Sequence, residues 1–387
     1  MKALWLCSWY PGKTEPFNGD FVQRHARAAA LFMDVQVIHV MEDASGKIKE
    51  QTQEVRRETN LTEHIIYINR PATWWGRLVS NYNIQRRYQQ AIKKYIKEKG
   101  KPDIVHVHVT MKAGIAGLWL KRRYGLPFTL TEHWGIYNTA VADNYTKRNN
   151  AFKLFTKRIV EQAAGFISVS RFIAEGINQL VTTKEYIVIP NTVNTELFHY
   201  STNPHTAFRF IHVSNMVPLK NAEGILAVFK KLKETTRNVE LYMVGDTHPG
   251  IRNYAASLGL TDAGVFFYGE VPYPEVAAKM QQCDCFILFS DIENSPCVIG
   301  EALCCGLPVI ATAVGGIPEL VHSNNSLLIT PCSEDELVKA MQNMVEKKEQ
   351  FDRKKIAEDA QCIFSYPVIG QQFIDYYKKV IQADTKN

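Results

Sequence analysis

No CxxC pair occurs among the eight cysteines, no apolar run approaches the ~18 residues of a membrane-spanning helix, and no repeat or low-complexity tract is visible. The first absence argues against a zinc ribbon or a thioredoxin-like redox motif. It leaves Cys7, Cys283, Cys285, Cys297, Cys304, Cys305, Cys332 and Cys362 as small buried hydrophobes of a reducing compartment. The second argues against a bilayer span. Ala3 to Cys7 is apolar, but Ser8, Tyr10, Pro11, Gly12 and Lys13 follow at once, so a signal-peptide core is missing and the expected location is the cytoplasm. Also missing are a GxxxxGK[ST] phosphate loop, a GxGxxG dinucleotide fingerprint and clustered zinc ligands, which removes the P-loop ATPase, kinase and NAD-dehydrogenase readings.

What is present is a chain of 387 residues, 46% apolar, 22% charged and 11% aromatic, a balance that excludes a disordered or collagen-like protein. A single core stops growing at about 250–300 residues, so the length predicts two domains and a cleft. Charge is shared unevenly. Residues 1–200 carry 28 Lys and Arg against 17 Asp and Glu, a net +11, and residues 201–387 carry 17 against 22, a net −5. A basic first half is a statement about anionic partners rather than about fold.

Short apolar runs alternate with amphipathic helices throughout, the pattern of parallel sheets assembled from βαβ units, so the chain is expected to be α/β. Strands are predicted at Ala3–Trp9, Val35–Met41, Ile104–Val109, Phe128–Thr131, Phe166–Ser170 and Tyr186–Ile189, with helices over Asp20–Phe32 and Asn83–Lys99. A polar, aperiodic stretch, Asn194–Ala207, predicts an interdomain hinge. A second series follows: Arg209–Ser214, Glu240–Val244, Val265–Tyr268, Cys285–Ser290, Val309–Thr312 and Leu327–Ile329. The expected domains are 1–200 and 201–365, with a last helix at about 366–387 crossing back to the first.

In open parallel sheets, ligands bind beyond the carboxyl ends of strands. The most informative window runs from Cys285 to Thr312 and reads strand, loop, helix, glycine stop, strand. Pro296 suits a first helical turn and Gly306 a left-handed C-terminal stop, which puts the amides of Cys297 and Val298 at a helix N-terminus suited to phosphate. Glu293 and Glu301 flank that position. A carboxylate beside phosphate needs its own hydrogen-bond donors, and sugar hydroxyls supply them, so the pair suits a nucleotide sugar. Either glutamate taken alone reads rather as a helix-dipole partner or a solvated loop residue.

The window resembles the E-x7-E segment of the family 4 retaining glycosyltransferases, here Glu293 and Glu301. Phe266 to Val271, Gly315 to Leu320, Ile189-Pro-Asn191, Ser8-Trp-Tyr-Pro11 and Asn18-Gly-Asp-Phe21 follow in the order and approximate spacing such proteins show. The resemblance implies the GT-B fold, two Rossmann-like domains whose parallel sheets face a central cleft, with donor bound mainly by the second domain and acceptor mainly by the first. It implies that Glu293 orients the donor sugar, Glu301 the ribose and Lys220 the diphosphate. It also implies that His133 is the cleft histidine and Gly19 the loop glycine that lets diphosphate or acceptor approach. His106 and His108 rival His133. Val271, Ser295, Cys297 and Val298 complete the donor-binding set. Where the family carries an arginine five residues before the lysine, this chain has Asn215.

The implied activity is a retaining, metal-independent transfer from a nucleotide diphosphate sugar, UDP rather than GDP, to a hydroxyl acceptor of surface polysaccharide or glycolipid, such as a lipid-linked saccharide. No metal or other cofactor is expected. A nucleotide-sugar epimerase or hydrolase of the same fold and a non-catalytic nucleotide-sugar-binding module are the alternatives. Lys121-Arg-Arg123, Lys147-Arg148, Lys157-Arg158 and the Asn83–Lys101 helix, with Trp74-Trp75, suggest peripheral contact with anionic membrane, against a plain solvated basic surface. Nucleic acid is not expected as a partner.

Overall fold

The computed structural model describes every residue except 44–47, 49–51, 70–73, 203, 248, 262 and 385–387; of 74, 75, 77 and 78 it describes the backbone alone. The Trp74-Trp75 side chains suggested for a membrane interface therefore lie outside the description. The chain divides into two compact units, Met1–Thr192 with Tyr366–Asn387, and Val193–Ser365.

The first unit is built on an eight-stranded sheet: β1 (Lys2–Cys7), β2 (Asp34–Asp43), β3 (Gln53–Arg57), β4 (Leu61–Asn69), β5 (Ile104–His108), β6 (Phe128–Glu132), β7 (Gly165–Ser168) and β8 (Ile187–Val188), in the order β3-β4-β2-β1-β5-β6-β7-β8. All neighbours are parallel except β3, which runs antiparallel to β4 at the edge. The helices are α1 (Asp20–Ala30), α2 (Trp74–Lys99), α3 (Ala113–Tyr124), α4 (Asn150–Gln162) and α5 (Arg171–Leu180). Alternation along β1 sends Leu4 and Leu6 to one face, where they join Tyr88 and Ile92 of α2, and Ala3, Trp5 and Cys7 to the other, where they join Val22, Ala26 and Ala29 of α1.

The second unit is a six-stranded parallel sheet of β9 (Phe208–Val213), β10 (Val239–Val244), β11 (Val265–Phe267), β12 (Cys285–Leu288), β13 (Val309–Thr312) and β14 (Ser326–Ile329), ordered β11-β10-β9-β12-β13-β14. Its helices are α6 (Ala222–Thr235), α7 (Pro249–Ser257), α8 (Tyr273–Gln281), α9 (Cys297–Cys304), α10 (Glu334–Glu346) and α11 (Arg353–Phe364). Phe286 and Leu288 of β12 pack to one side, and Cys285 and Ile287 to the other. The last helix, α12 (Tyr366–Asp384), belongs to the first unit, where Ile369, Phe373 and Tyr377 pack in the α1 layer. Gly370 admits this close packing, since a Cβ there would lie 2.1 Å from the Ala28 carbonyl oxygen.

Three expectations need correction. The stretch at 194–207 is not a free hinge at its start: Val193 and Phe198 are buried in the second unit's core, and the Val193 amide donates to the Phe364 carbonyl at 2.8 Å. The boundary therefore falls between Thr192 and Val193 rather than at 200. Strands β3 and β4 add to the expected set: β3 is a polar edge strand without a sequence signal, and β4, whose run Ile65 to Ile68 does signal a strand, also turns Glu63 inward, where Tyr10 Oη (2.6 Å) and Gln23 Nε2 (2.7 Å) donate to it. Of the eight free cysteines, Cys332 and Cys362 are exposed and Cys297 is half-buried; the remaining five are buried.

Among the described residues no helix is long and apolar enough to cross a membrane. Burial holds His25, His39 and His212 at a pKa of about 4, against an ordinary 6.5. The unfolded chain takes up these protons near pH 6.5 and the folded chain near 4, so stability is complete above pH 6.5 and declines as pH falls toward 4. Thermal melts followed by circular dichroism should show Tm dropping across that window. A Tm that stays level from pH 7 to 4.5 would contradict the buried neutral histidines.

Candidate functional site

In the second unit the strand order reverses between β9 and β12, and the loops leaving these neighbours carry the charged groups. At the β9 end, the buried His212 donates through Nδ1 to the Ile287 carbonyl (2.9 Å), which leaves Nε2 to accept from Ser214 Oγ (2.7 Å). That oxygen in turn accepts from the Met216 amide at 3.0 Å. This relay shapes the turn through Asn215 to Lys220. Asn221 (φ 48°) then caps α6 by accepting from the Gly224 amide. At the β12 end, Glu293 is 7% exposed, and its Oε1 accepts from Lys220 Nζ at 2.5 Å and from Ser290 Oγ at 2.8 Å. Thr312 Oγ1 donates to the Ser290 carbonyl at 2.6 Å, and the Asp291 amide donates to the Leu219 carbonyl at 2.9 Å, so the two loops are tied at backbone level as well.

One glycine makes the carboxylate loop possible. Gly315 has φ 56°, and a Cβ on it would lie 1.8 Å from the Glu293 carbonyl oxygen; the next amide, of Gly316, donates to the Asn294 carbonyl at 2.9 Å. Ser295 is buried, and Cys297 and Val298 are half-buried in the first turn of α9, whose N-cap Pro296 supplies no side-chain acceptor. The proline thus stands just before the helix rather than inside its first turn. Glu301 lies in α9 and is 3% exposed. Gly306, at φ 74°, follows the helix end as expected.

The neighbouring strand ends are coupled similarly. Asp246, beyond β10, accepts from the Gly269 amide (2.7 Å) and from Arg252 Nε (2.6 Å), and the Gly245 amide donates to the Gly269 carbonyl (2.7 Å). These bonds hold the loop that leads to Val271. Asn215 is exposed and lines a pocket of about 310 Å³ with Val217, Asn221, Glu223 and Asp246, which neither Lys220 nor Glu293 lines. The structure therefore joins Lys220 to Glu293 directly, while Asn215, earlier in the same loop, lines the neighbouring pocket.

In the first unit, the order reverses between β1 and β5. Gly19 follows β1 at φ 73°, where a Cβ would meet the Trp9 carbonyl carbon at 2.5 Å, and it caps α1. His133 directly follows β6. Its backbone amide (2.8 Å) and that of Trp134 (2.9 Å) donate to the buried Glu132 Oε1, while Oε2 accepts from the Thr110 amide at 3.0 Å. Phe21, two residues after Gly19, lies 4.8 Å from the His133 ring, so these two candidates share one locale. His108 joins it, with Nδ1 3.3 Å from His133 Nε2. His106 does not: its ring nitrogens bond Tyr377 Oη and Thr131 Oγ1, which makes it a satisfied core histidine. Burial, with the neighbouring histidines, depresses the pKa of His108 and His133 well below the ordinary value, so both are neutral at pH 7.

Sequence reasoning missed Ser290, Asn294, His212 and Asp246. Asn294 Oδ1 is buried without a hydrogen bond beside Glu293. Its position next to the first glutamate was the only available signal; His212, inside a strand, gave none. From the Gly315 geometry, Gly315→Ala should destabilise the fold by roughly 2–4 kcal/mol and displace the Glu293 carbonyl. A Tm within a degree of the parent would show that this contact is not tight.

Comparison with known proteins follows the same two-unit division. A model described as Glycosyltransferase Family 4 matches residues 20–197, and one described as Glycosyl transferases group 1 matches residues 194–361. The chain is 27% identical over 396 residues to a putative teichuronic acid biosynthesis glycosyltransferase, TuaC, of Bacillus subtilis, covering 96% of this chain and 95% of that protein. It is 25% identical to an MMP alpha-(1->4)-mannosyltransferase of Mycolicibacterium hassiacum, covering 73% and 72%. Among solved structures, sucrose-phosphate synthase from Thermosynechococcus elongatus aligns with TM-score 0.77 at 20% identity, covering 99% of this chain and all of that one. Anabaena HepE in complex with UDP aligns with TM-score 0.72 at 20% identity, covering 98% and 100%.

Proposed function

The chain belongs to glycosyltransferase family 4 and has the GT-B fold, and from that premise we propose a retaining, metal-independent transfer of a sugar from a UDP-sugar to a hydroxyl acceptor. The observation that carries this reading is the Lys220–Glu293 pair at the switch point of the second sheet, a cation and a carboxylate held together where a sugar diphosphate needs one of each. On donor binding, Lys220 turns from Glu293 to the diphosphate, and Glu293 accepts hydrogen bonds from the sugar hydroxyls in place of the ammonium. Glu301 accepts from the ribose hydroxyls. The first-turn amides of α9, at Cys297 and Val298, face the phosphoryl oxygens, with Ser295 and Val271 completing the donor pocket. Gly19 gives room to the diphosphate, and His133 holds a donor-sugar hydroxyl.

The acceptor oxygen attacks the anomeric carbon on the face the nucleotide leaves. The bond from that carbon to the phosphoryl oxygen breaks, the acceptor proton passes to the departing phosphate, and configuration is kept. Lys220 stabilises the growing negative charge, the role a divalent ion has in other transferases. Asn215 leaves this site one cation short of the family pattern. UDP is favoured over GDP because HepE, of the same fold, binds UDP. A surface-polysaccharide acceptor is favoured by the relationship to a teichuronic acid glycosyltransferase.

A nucleotide-sugar panel scored by Tm shift and by nucleotide release tests this directly. A UDP-sugar should stabilise the protein, transfer should persist in excess chelator, and the product should keep the donor's anomeric configuration by NMR. Lys220→Ala should lower kcat by about 10²–10³-fold, and Glu301→Ala should raise the donor KM with a smaller effect on kcat. Loss of turnover in chelator, or an inverted product, would refute the mechanism.

The net +11 of the first half supports one more element of this reading, peripheral docking on an anionic membrane that carries a lipid-linked acceptor. Arg122, Arg123, Lys157 and Arg158 are exposed. Co-sedimentation with phosphatidylglycerol vesicles should be strong at low salt and fall steeply by 0.5 M. Equal binding to neutral vesicles, or none at any salt, would remove this element.

A further inference from the structure

The loop from β5 to α3 leaves the first sheet at its β1–β5 reversal and carries two non-glycine residues at positive φ, Val109 at 66° and Lys112 at 65°. Lys112 has ψ −74°, and the Ala113 amide donates to the Met111 carbonyl at 3.0 Å, so the lysine is the centre of a γ-turn of the rare, strained hand. Its Nζ lies 2.7 Å from Oε2 of Glu42, next to the last residue of β2, and Ser80 Oγ of α2 donates to the other oxygen of that carboxylate. We propose that Lys112 and Glu42 form the acceptor subsite of the first unit, and that the acceptor is an anionic saccharide, a sugar phosphate or a uronate.

Three observations point to a ligand rather than to a packing contact. First, the ion pair does not repay the strain. A non-glycine residue in such a backbone disfavours the fold by a factor of roughly 5–150, whereas a pair whose lysine is 42% exposed returns about fivefold at most. Glycine adopts this backbone freely, yet the chain places a lysine on it. Second, the strained loop is enforced from several sides. The Val109 amide donates to the Thr131 carbonyl (2.9 Å), the Thr110 amide to Glu132 Oε2 (3.0 Å), Gln85 Nε2 to the Lys112 carbonyl (2.8 Å) and the Ala113 amide also to Ser8 Oγ (3.1 Å). Strained residues that their surroundings over-determine in this way cluster at ligand clamps. Third, β2 and β5 flank β1, so the pair bridges the end of that strand, where open parallel sheets bind their ligands.

The chemistry of the pair defines its ligand. An ammonium donates to an anionic oxygen and a carboxylate accepts from hydroxyls, and a saccharide bearing phosphate or carboxylate presents both kinds of group around one ring. On binding, Lys112 turns from Glu42 to the anion, and a ring hydroxyl takes its place at the carboxylate. Lys112 is also the N-cap residue of α3 and makes no side-chain cap bond, so the positive end of the helix dipole adds to its charge. The arrangement repeats, at the reversal of the other sheet, the contact between Lys220 and Glu293. This subsite rests on the transfer reading above and supplies its acceptor half; neither of its two residues takes part in donor binding.

The full-length protein, with UDP in excess, is titrated with α-D-glucose 1-phosphate, with D-glucuronate and with methyl α-D-glucoside as the uncharged control, each followed by saturation-transfer NMR. At least one of the two anionic sugars should bind ~10-fold or more tightly than the glucoside, and which of them does so tells a phosphate reader from a carboxylate reader. Lys112→Met should abolish the preference. Lys112→Gly should abolish it while keeping or raising Tm, because glycine relieves the turn; a lysine that only held the fold would lower Tm on replacement. Equal binding of charged and uncharged sugars, no binding of any, an unchanged preference in either variant, or a Lys112→Gly chain that melts well below the parent would each overturn the proposal. A Tm shift with UDP, read separately, tests the donor reading: its absence beside an intact charge preference would remove the donor and keep the anionic-sugar site.

Discussion

The contact between Lys220 and Glu293 depends on two adjacent strands leaving their sheet in diverging directions. β9 continues toward β10 on one side while β12 continues toward β13 on the other, so the loops after β9 and β12 face each other over space that no crossover fills. An ammonium and a carboxylate placed there neutralise each other in a partly desolvated setting. The rest of the second unit's upper edge serves that encounter. The His212–Ser214 relay shapes one loop, Ser290 and Thr312 brace the other, and Gly315 yields the space its backbone needs.

A comparable arrangement occurs at the β1–β5 reversal of the first unit, with different chemistry. Beside α1, the strand ends gather neutral imidazoles and aromatic rings, with Glu132 buried beneath and bonded to backbone amides. Desolvation raises the Glu132 pKa, and the surrounding amide and hydroxyl donors oppose that rise. A basic sequence half thus places a nearly uncharged cluster at its strand ends, and the positive charge lies on helix surfaces such as the end of α3 and the exposed side of α4.

Much of the fold was legible, for a specific reason. Fully buried parallel strands such as Cys285–Leu288 are short apolar runs with no polar face, and such runs separated by amphipathic helices have few other interpretations. Where a strand does not obey that rule it was missed. β3 is a polar edge strand held only by its antiparallel pairing with β4, and β4, which also pairs with β2 along its whole length, turns a glutamate inward. The supposed hinge failed for the converse reason. Its polarity is real, but Val193 and Phe198 anchor it, and two apolar residues in a polar stretch do not announce which unit they will join.

The candidate site divides along the same line. Local order in the chain was enough to indicate Glu293, Glu301, Gly306 and the α9 N-terminus, because helix stops, caps and carboxylate spacing are properties of neighbouring residues. The resemblance to glycosyltransferase family 4 rests likewise on motifs in sequence order. Tertiary structure alone decided that Lys220 meets Glu293 across 73 positions, that His106 is satisfied, and that His25 completes a cluster with His108 and His133. Those outcomes depend on strand order and on which face each strand turns inward, and both are set by the long-range pairing of segments that carry no local record of their partners.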